Sequence, residues 1–291
     1  MKFILKHLVV LFFFCGLMTT SLGAQSLQFL FMGHSYDWTD AEGDALDSRI
    51  MSLNLDKYDG FWFGGDICAN TSLDPNTWKR LDETFDLKNP RTHIALGNHD
   101  YRDDNLHLYY GVTGKADFYT SNIHSIVVSV INTNLNASDC QSLDKQYQML
   151  STVTDSISEA SHYILMMHHQ IFSDIPGLSD FKSNGNCEHY QLTCTGSSRK
   201  FEDSLYTKLI EVRNRGIEVI VLVGDSGWHK GGHWKSEHDI HFIASGINNS
   251  YYKAKAPELL KAVEKDKVLE FEFHVERQEL EWRFIELGGW E

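Results

Sequence analysis

Proline is scarce in this chain, four residues in 291, and no low-complexity stretch or internal repeat interrupts it. Linkers and solenoid arrays are built from such segments, so their absence points to one large folded unit. Basic residues are also short, 26 Lys and Arg against 40 Asp and Glu, for a formal charge of −14. An acidic protein repels a phosphate backbone, which argues against a general DNA or RNA binder. A small phosphate ester stays open as a partner, because a bound cation inverts the local field. Cysteine is limited to five residues with no Cys-x-x-Cys pair, which weakens any thiolate metal site. Beyond the first two dozen residues no apolar run approaches the ~20 residues of a membrane span.

Those first residues are different. Lys2 and Lys6 precede Leu8-Val-Val-Leu-Phe-Phe-Phe14, and small residues follow at Ser21, Gly23 and Ala24. The layout predicts a secretory signal peptide over residues 1–24, with an uncleaved anchor as the alternative. Cys15 lacks the small neighbours of a lipoprotein site. Cleavage removes Lys2 and Lys6, so 24 basic residues face 40 acidic ones, a charge of −16. The mature chain, 25–291, is then expected to be secreted or periplasmic and free of the membrane. Its four cysteines suggest two disulfides with three possible pairings. Cys187 and Cys194 flank a short polar segment and are expected to pair locally, leaving Cys68 with Cys140.

The order of elements alternates. Apolar runs at Leu27–Met32, Gly60–Gly64, Thr92–Leu96, Ser125–Asn132, Tyr163–Met167 and Ile217–Val223 read as strands. Between them Ala41–Leu53, Trp78–Phe85, Glu202–Asn214 and the Leu143, Tyr147, Leu150, Val153, Ile157 stripe read as helices. The tail reads as strands at His241–Ser245, Val268–Val275 and Leu280–Ile285. Alternation followed by a strand-rich end predicts an α/β fold with a mixed sheet, or two sheets face to face with helices outside.

Several strands end in chemistry-bearing residues. Gly97-Asn98-His99-Asp100 follows one, Gly65-Asp66 another, His168-His169 a third and Gly224-Asp225 a fourth. Strand ends are where open α/β sheets bind ligands. Each group alone could be a polar turn with capping residues. Repetition of the same construction favours a shared site.

With these motifs the chain resembles the calcineurin-like metallophosphoesterases, which include the purple acid phosphatases. The likeness runs in motif order from Leu27 to about Gly246. It implies a four-layer α/β/β/α sandwich of two mixed sheets flanked by helices, and a single phosphoesterase domain over 25–291. It also implies one or two divalent or trivalent metal ions (Zn, Mn or Fe) and hydrolysis of a small phosphate ester. Gly65-Asp66 and Gly97-Asn98-His99-Asp100 match the family fully, and His168 fits the lone histidine with His169 as a substitute.

Two motifs depart. The first reads Met32-Gly33-His34, with Met32 where the family has aspartate. The last reads Gly224-Asp225-Ser226-Gly227, with Asp225 and Gly227 where it has two histidines. Carried across, one metal retains only His34 and Asp66, and the other takes Asp66, Asn98, His168 and Asp225. Asp37, or His229 and His233 in a glycine-rich insertion, could compensate. Solvated loops are the plain reading of those three, and turn capping is the plain reading of Asp225. By the same resemblance Asp66 is the shared carboxylate and Asn98 a neutral oxygen ligand. His34 is a ligand or phosphate contact. His99 stabilises phosphoryl oxygens or protonates the leaving group, with Asp100 fixing its tautomer. Tyr36, Trp38, Tyr101 and Trp228 could stack on a substrate ring or simply pack. A catalytically silent member that binds a partner or a phosphorylated ligand, and a one-metal hydrolase of other bonds, are the competing expectations.

Overall fold

A computed structural model describes residues 25–102, 106–172, 175, 178, 192–194, 201–225 and 232–288. The expected signal segment and the insertion carrying Gly227 and His229 lie outside the described residues. Among the described residues no helix is long and apolar enough to cross a membrane.

Eleven strands form two sheets among the described residues. The first sheet contains β1 (Ser26–Met32), β2 (Gly60–Phe63) and β3 (His93–Ile94), joined by β10 (Lys267–His274) and β11 (Glu279–Glu286). Its order is β11-β10-β1-β2-β3, with β1 parallel to β2 and antiparallel to β10. The second sheet contains β4 (Tyr119–Ile123), β5 (Ile126–Val130), β6 (His162–His169), β7 (Glu218–Asp225), β8 (Gly232–Lys235) and β9 (His241–Ala244). Its order is β4-β5-β6-β7-β9-β8, a parallel centre with an antiparallel strand at each edge.

Strand parity sorts the core into three layers of contact. Phe29, Phe31 and Trp62 of the first sheet meet Val128, Val130, Ile164, Met166, Ile220 and Leu222 of the second. The alternate residues Leu30, Met32, Phe61 and Phe63 pack outward with Trp78, Leu81 and Phe85 of α2 (Pro75–Phe85). On the other side Tyr163, Leu165, Met167, Val219 and Val221 pack with Leu150 of α4 (Cys140–Ser156) and Leu209 and Val212 of α5 (Thr207–Asn214). Helices therefore cover both outer faces of two stacked mixed sheets, as expected. Local signals fix the helices: Asp74 caps α2 through Asn76 N with Pro75 in the first turn, and Asp139 caps α4 through Ser142 N.

The helix expected over Ala41–Leu53 shrinks to α1 (Ser48–Met51). Upstream, the Asp40 carboxylate accepts Asp44 N and Ala45 N, Gly43 is left-handed, and Tyr36 bridges Leu46. Aspartates that bond neighbouring backbone outcompete the helical ladder there. Two strands and two helices were not anticipated: β4, β8, α3 (Leu106–Thr113) and α6 (Asn249–Lys255).

The disulfide expectation is corrected. Cys140 pairs with Cys194, 54 residues on, with Cα atoms 5.2 Å apart. Both expected pairs, Cys187–Cys194 and Cys68–Cys140, are thereby excluded. Short sequence spacing suggested the local loop, whereas the bridge forms where the fold brings Cβ atoms together, at the first residue of α4. Cys68 is a buried free thiol that donates to Asp100 Oδ1 at 3.5 Å. Cys187 lies outside the described residues.

Candidate metal centre

The two sheets meet at their strand ends, and glycine makes the meeting possible. Gly33, Gly64 and Gly224 continue the inward parity of β1, β2 and β7. A Cβ on Gly224 would lie 1.9 Å from Gly64 O, and one on Gly33 2.3 Å from Gly224 O. No other residue allows that approach. It sets the residue after each glycine of this seam, or one further along, at a common point.

His34 and Asp66 are delivered there by left-handed turns, at φ 51° and φ 54°. Such backbone is strained for residues with a Cβ and collects at functional sites. The Asp66 carboxylate lies between two imidazoles: Oδ2 is 3.2 Å from His34 Nε2, and Oδ1 is 3.6 Å from His168 Nε2. His34, His168 and Asp225 each bring one donor atom within 4.8 Å of the others. Asp225 is 5 % exposed and His168 fully buried.

Strand parity also explains the histidine pair. His168 follows Ile164 and Met166 on the inward face, and its Nδ1 donates to Gly64 O at 2.7 Å. A carbonyl only accepts, so Nδ1 carries the proton and the Nε2 lone pair faces Asp66 and Asn98. His169 follows Tyr163, Leu165 and Met167 outward, beside Asp225 in the register of β6 and β7. Even so, the Nε2 atoms of His168 and His169 both lie 3.3 Å from Asn98 Oδ1. Thus His169 joins the cluster together with His168 rather than in its place.

Electrostatics follow from this crowding. Burial opposes a charged Asp66, but His168 and His34 outweigh it and hold the carboxyl well below its usual range. For His34, burial is overcome by the hydrogen bond to Asp66 and by the charges of Asp225 and Asp100, raising its pKa to about 9. Burial and the neighbouring His168 push His169 down to about 4. His34, His168 and Asp225 turn donor atoms to a shared position beside the Asp66 carboxylate, where a cation would be stabilised. Imidazole and carboxylate donors together suit a divalent or trivalent metal ion. The residues present therefore fit a metal ion.

Other sequence candidates fall into place around the cluster. Asp100 does not orient His99. Its Oδ1 accepts Ile67 N at 2.9 Å and its Oδ2 accepts Gly97 N at 3.0 Å, so it clamps the two strand-end loops together. Burial and the charge of Asp66 raise its pKa. The orienting partner of His99 is the Ala69 carbonyl, 2.6 Å from Nδ1, while His99 N donates to Asp66 Oδ1 at 2.9 Å. Asp37 is engaged elsewhere, its Oδ1 accepting Thr39 N and Oγ1. Met32 is fully buried in the helix-side apolar cluster. His233 lies on β8, stacked 5.0 Å from His241. Tyr36 and Trp38 stand 5.7 and 6.1 Å from the His99 ring, and Tyr251, which sequence reasoning missed, packs on Trp38 at 5.2 Å.

No family model and no curated protein matches this chain. Among solved structures it is similar to phosphopantetheinyl hydrolase from Mycobacterium tuberculosis, with a TM-score of 0.41 and 10 % identity over 81 % of this chain and 95 % of that one.

Proposed function

We propose that this chain is an exported, metal-dependent phosphoester hydrolase. The observation that carries the reading is the Asp66 carboxylate between two imidazoles, with His34, His168 and Asp225 converging within 4.8 Å. Asp66, His34, His168 and Asp225 would hold the ion or ions, with Asn98 and His169 beside them. A metal bound there supplies a Lewis acid and lowers the pKa of a water to near neutrality. The chain's own residues do the rest. His99 keeps its Nδ1 proton on Ala69 O, which leaves Nε2 as the atom that meets a phosphoryl oxygen or passes a proton to the leaving group. Asp100 holds the loop of Asp66 and the turn of Asn98 in one register.

Export is supported by the signal-like start and by the Cys140–Cys194 bridge, which belongs to an oxidising compartment. A silent, ligand-binding role is the second reading. It is favoured by Met32, which packs in the core and brings no donor to the cluster.

Metal content of the purified mature protein, paired with hydrolysis of p-nitrophenyl phosphate and its bis ester, separates the two. The enzyme holds at least one metal per chain and loses hydrolysis on chelation. Metal without hydrolysis of either ester supports the silent reading. A chain that holds no metal refutes the centre itself.

A further inference from the structure

Among the described residues the two sheets have four edge strands, and three are short: β3 has two residues, β8 four and β4 five. Shortness is one way a sheet keeps its edge from pairing with another chain. β11 is different. It runs eight residues, Glu279–Glu286, in an unbroken register with β10 and without proline, lysine or bulge. No strand covers its outer edge among the described residues.

Its alternate residues sort onto two faces. Leu280, Trp282 and Phe284 join the apolar layer between the sheets, and the last two stay half-buried. Glu281 and Arg283 stand on the opposite face, 67 % and 72 % exposed. Arg283 lies across from Glu270 of β10 and donates to it through Nε at 2.8 Å and through Nη2, which leaves Nη1. Glu281 lies across from Glu272, and like charges placed directly opposite repel. Its nearest cations are loose, His274 Nε2 at 3.7 Å and Arg277 Nη2 at 3.9 Å. The open side of Glu281 therefore favours a further positive charge.

We propose that β11 pairs antiparallel with β11 of a second copy of this chain, about a two-fold axis at Trp282, joining two five-stranded sheets into one. In that register Glu281 of each copy faces Arg283 of the other, and the charge Glu281 lacks is supplied across the axis. On the inter-sheet side Trp282 meets Trp282, and Leu280 meets Phe284, so apolar residues cover apolar ones. Other alignments lose this match. A slip of two residues sets Glu281 on Glu281 in one direction and Arg283 on Arg283 in the other. A slip of one turns the charged face of one strand beside the apolar face of its neighbour. The residues of β11 thus select a second β11 as partner, in one register. The pairing neither uses nor tests the metal centre.

Sedimentation velocity on the mature protein over a range of concentrations is the test. Wild type sediments as a dimer that dissociates on dilution. Glu281→Arg changes an exposed side chain, sets Arg against Arg in both charge pairs and weakens the dimer by roughly tenfold or more. Glu279→Arg makes the same change of charge opposite Ile285 of the second copy and keeps the dimer constant of wild type. A wild type that stays monomeric at every concentration, or a dimer that Glu281→Arg leaves intact, overturns the pairing. Equal weakening by both variants overturns the register, since net charge and not alignment then governs association.

Discussion

Asp66 faces two imidazoles, one on each oxygen, so removal of its charge acts on both sides of the cluster. Asp66→Asn keeps the shape and should cost metal affinity more than the ~10–100-fold typical of losing an outer-shell partner. His99→Ala should leave metal content near wild type and lower kcat by about 10²–10⁴, the range for a lost acid–base group. Metal analysis beside steady-state kinetics on both variants checks the pair. Equal metal loss in the two would place His99 among the ligands. Much of this cluster was legible, because Gly-Asp, Gly-Asn-His-Asp and His-His each sit at the end of an apolar run. The partner of His99 was not. Ala69 acts through its backbone carbonyl, and a carbonyl leaves no trace in residue type. Asp100 was misread for a related reason: adjacency to His99 in sequence suggested a side-chain contact, whereas a tight turn aims its carboxylate back at the Ile67 and Gly97 amides.

At the scale of elements, the seam of glycines sets the distance between the sheets. Gly224→Ala places a methyl 1.9 Å from Gly64 O, and backbone on both sides must shift. The expected outcome is at least the ~1–3 kcal/mol of an overpacked core, and reduced metal content although Gly224 ligates nothing. Urea melts with and without metal read both effects. β3 carries a second testable group. His93 is fully buried, its Nδ1 lies 3.4 Å from Tyr119 Oη, and Nε2 has no partner among the described residues. Burial, with Lys115 adding to it, pushes its pKa from 6.5 down to about 3. Below 6.5 the unfolded chain binds a proton that the folded chain refuses, so stability is full above 6.5 and declines as pH falls toward 3. The slope is about 1.4 kcal/mol per pH unit from this group, and His93→Phe should flatten it. Melts at several pH values for wild type and variant give the difference directly; parallel curves would show that His93 does not titrate this way. Elements with strong periodicity, such as α4 and β6, were readable. The 41–53 stretch was not, because Asp40 just before it accepts the Asp44 and Ala45 amides and overrides helical patterning there.

At the scale of the molecule, the Cys140–Cys194 bridge ties the start of α4 to a segment that β6 and β7 flank in sequence. Closing a loop of 54 residues is worth up to roughly 4 kcal/mol by the chain-entropy account. A non-reducing peptide map should return a Cys140–Cys194 fragment, with Cys68 alkylated only after unfolding. A Cys187–Cys194 fragment would contradict it. Counting cysteines gave the expectation of bridges and could not give the pairing, because pairing is a property of three-dimensional approach.

The pairing of β1 with β10 also sets a timetable for synthesis. Ser26 lies opposite His274 and Leu27 opposite Phe273, so one edge of β1 stays bare until those residues leave the ribosome. Every strand of the second sheet has been made by then. In the interval Phe29 and Phe31 have no Phe271 and Phe273 to pack against, and an open strand edge invites the wrong neighbour. The nascent chain therefore reaches its final fold late, after β10 has been made. Until β10 arrives, the open edge of β1 is the part of the chain most in need of shielding.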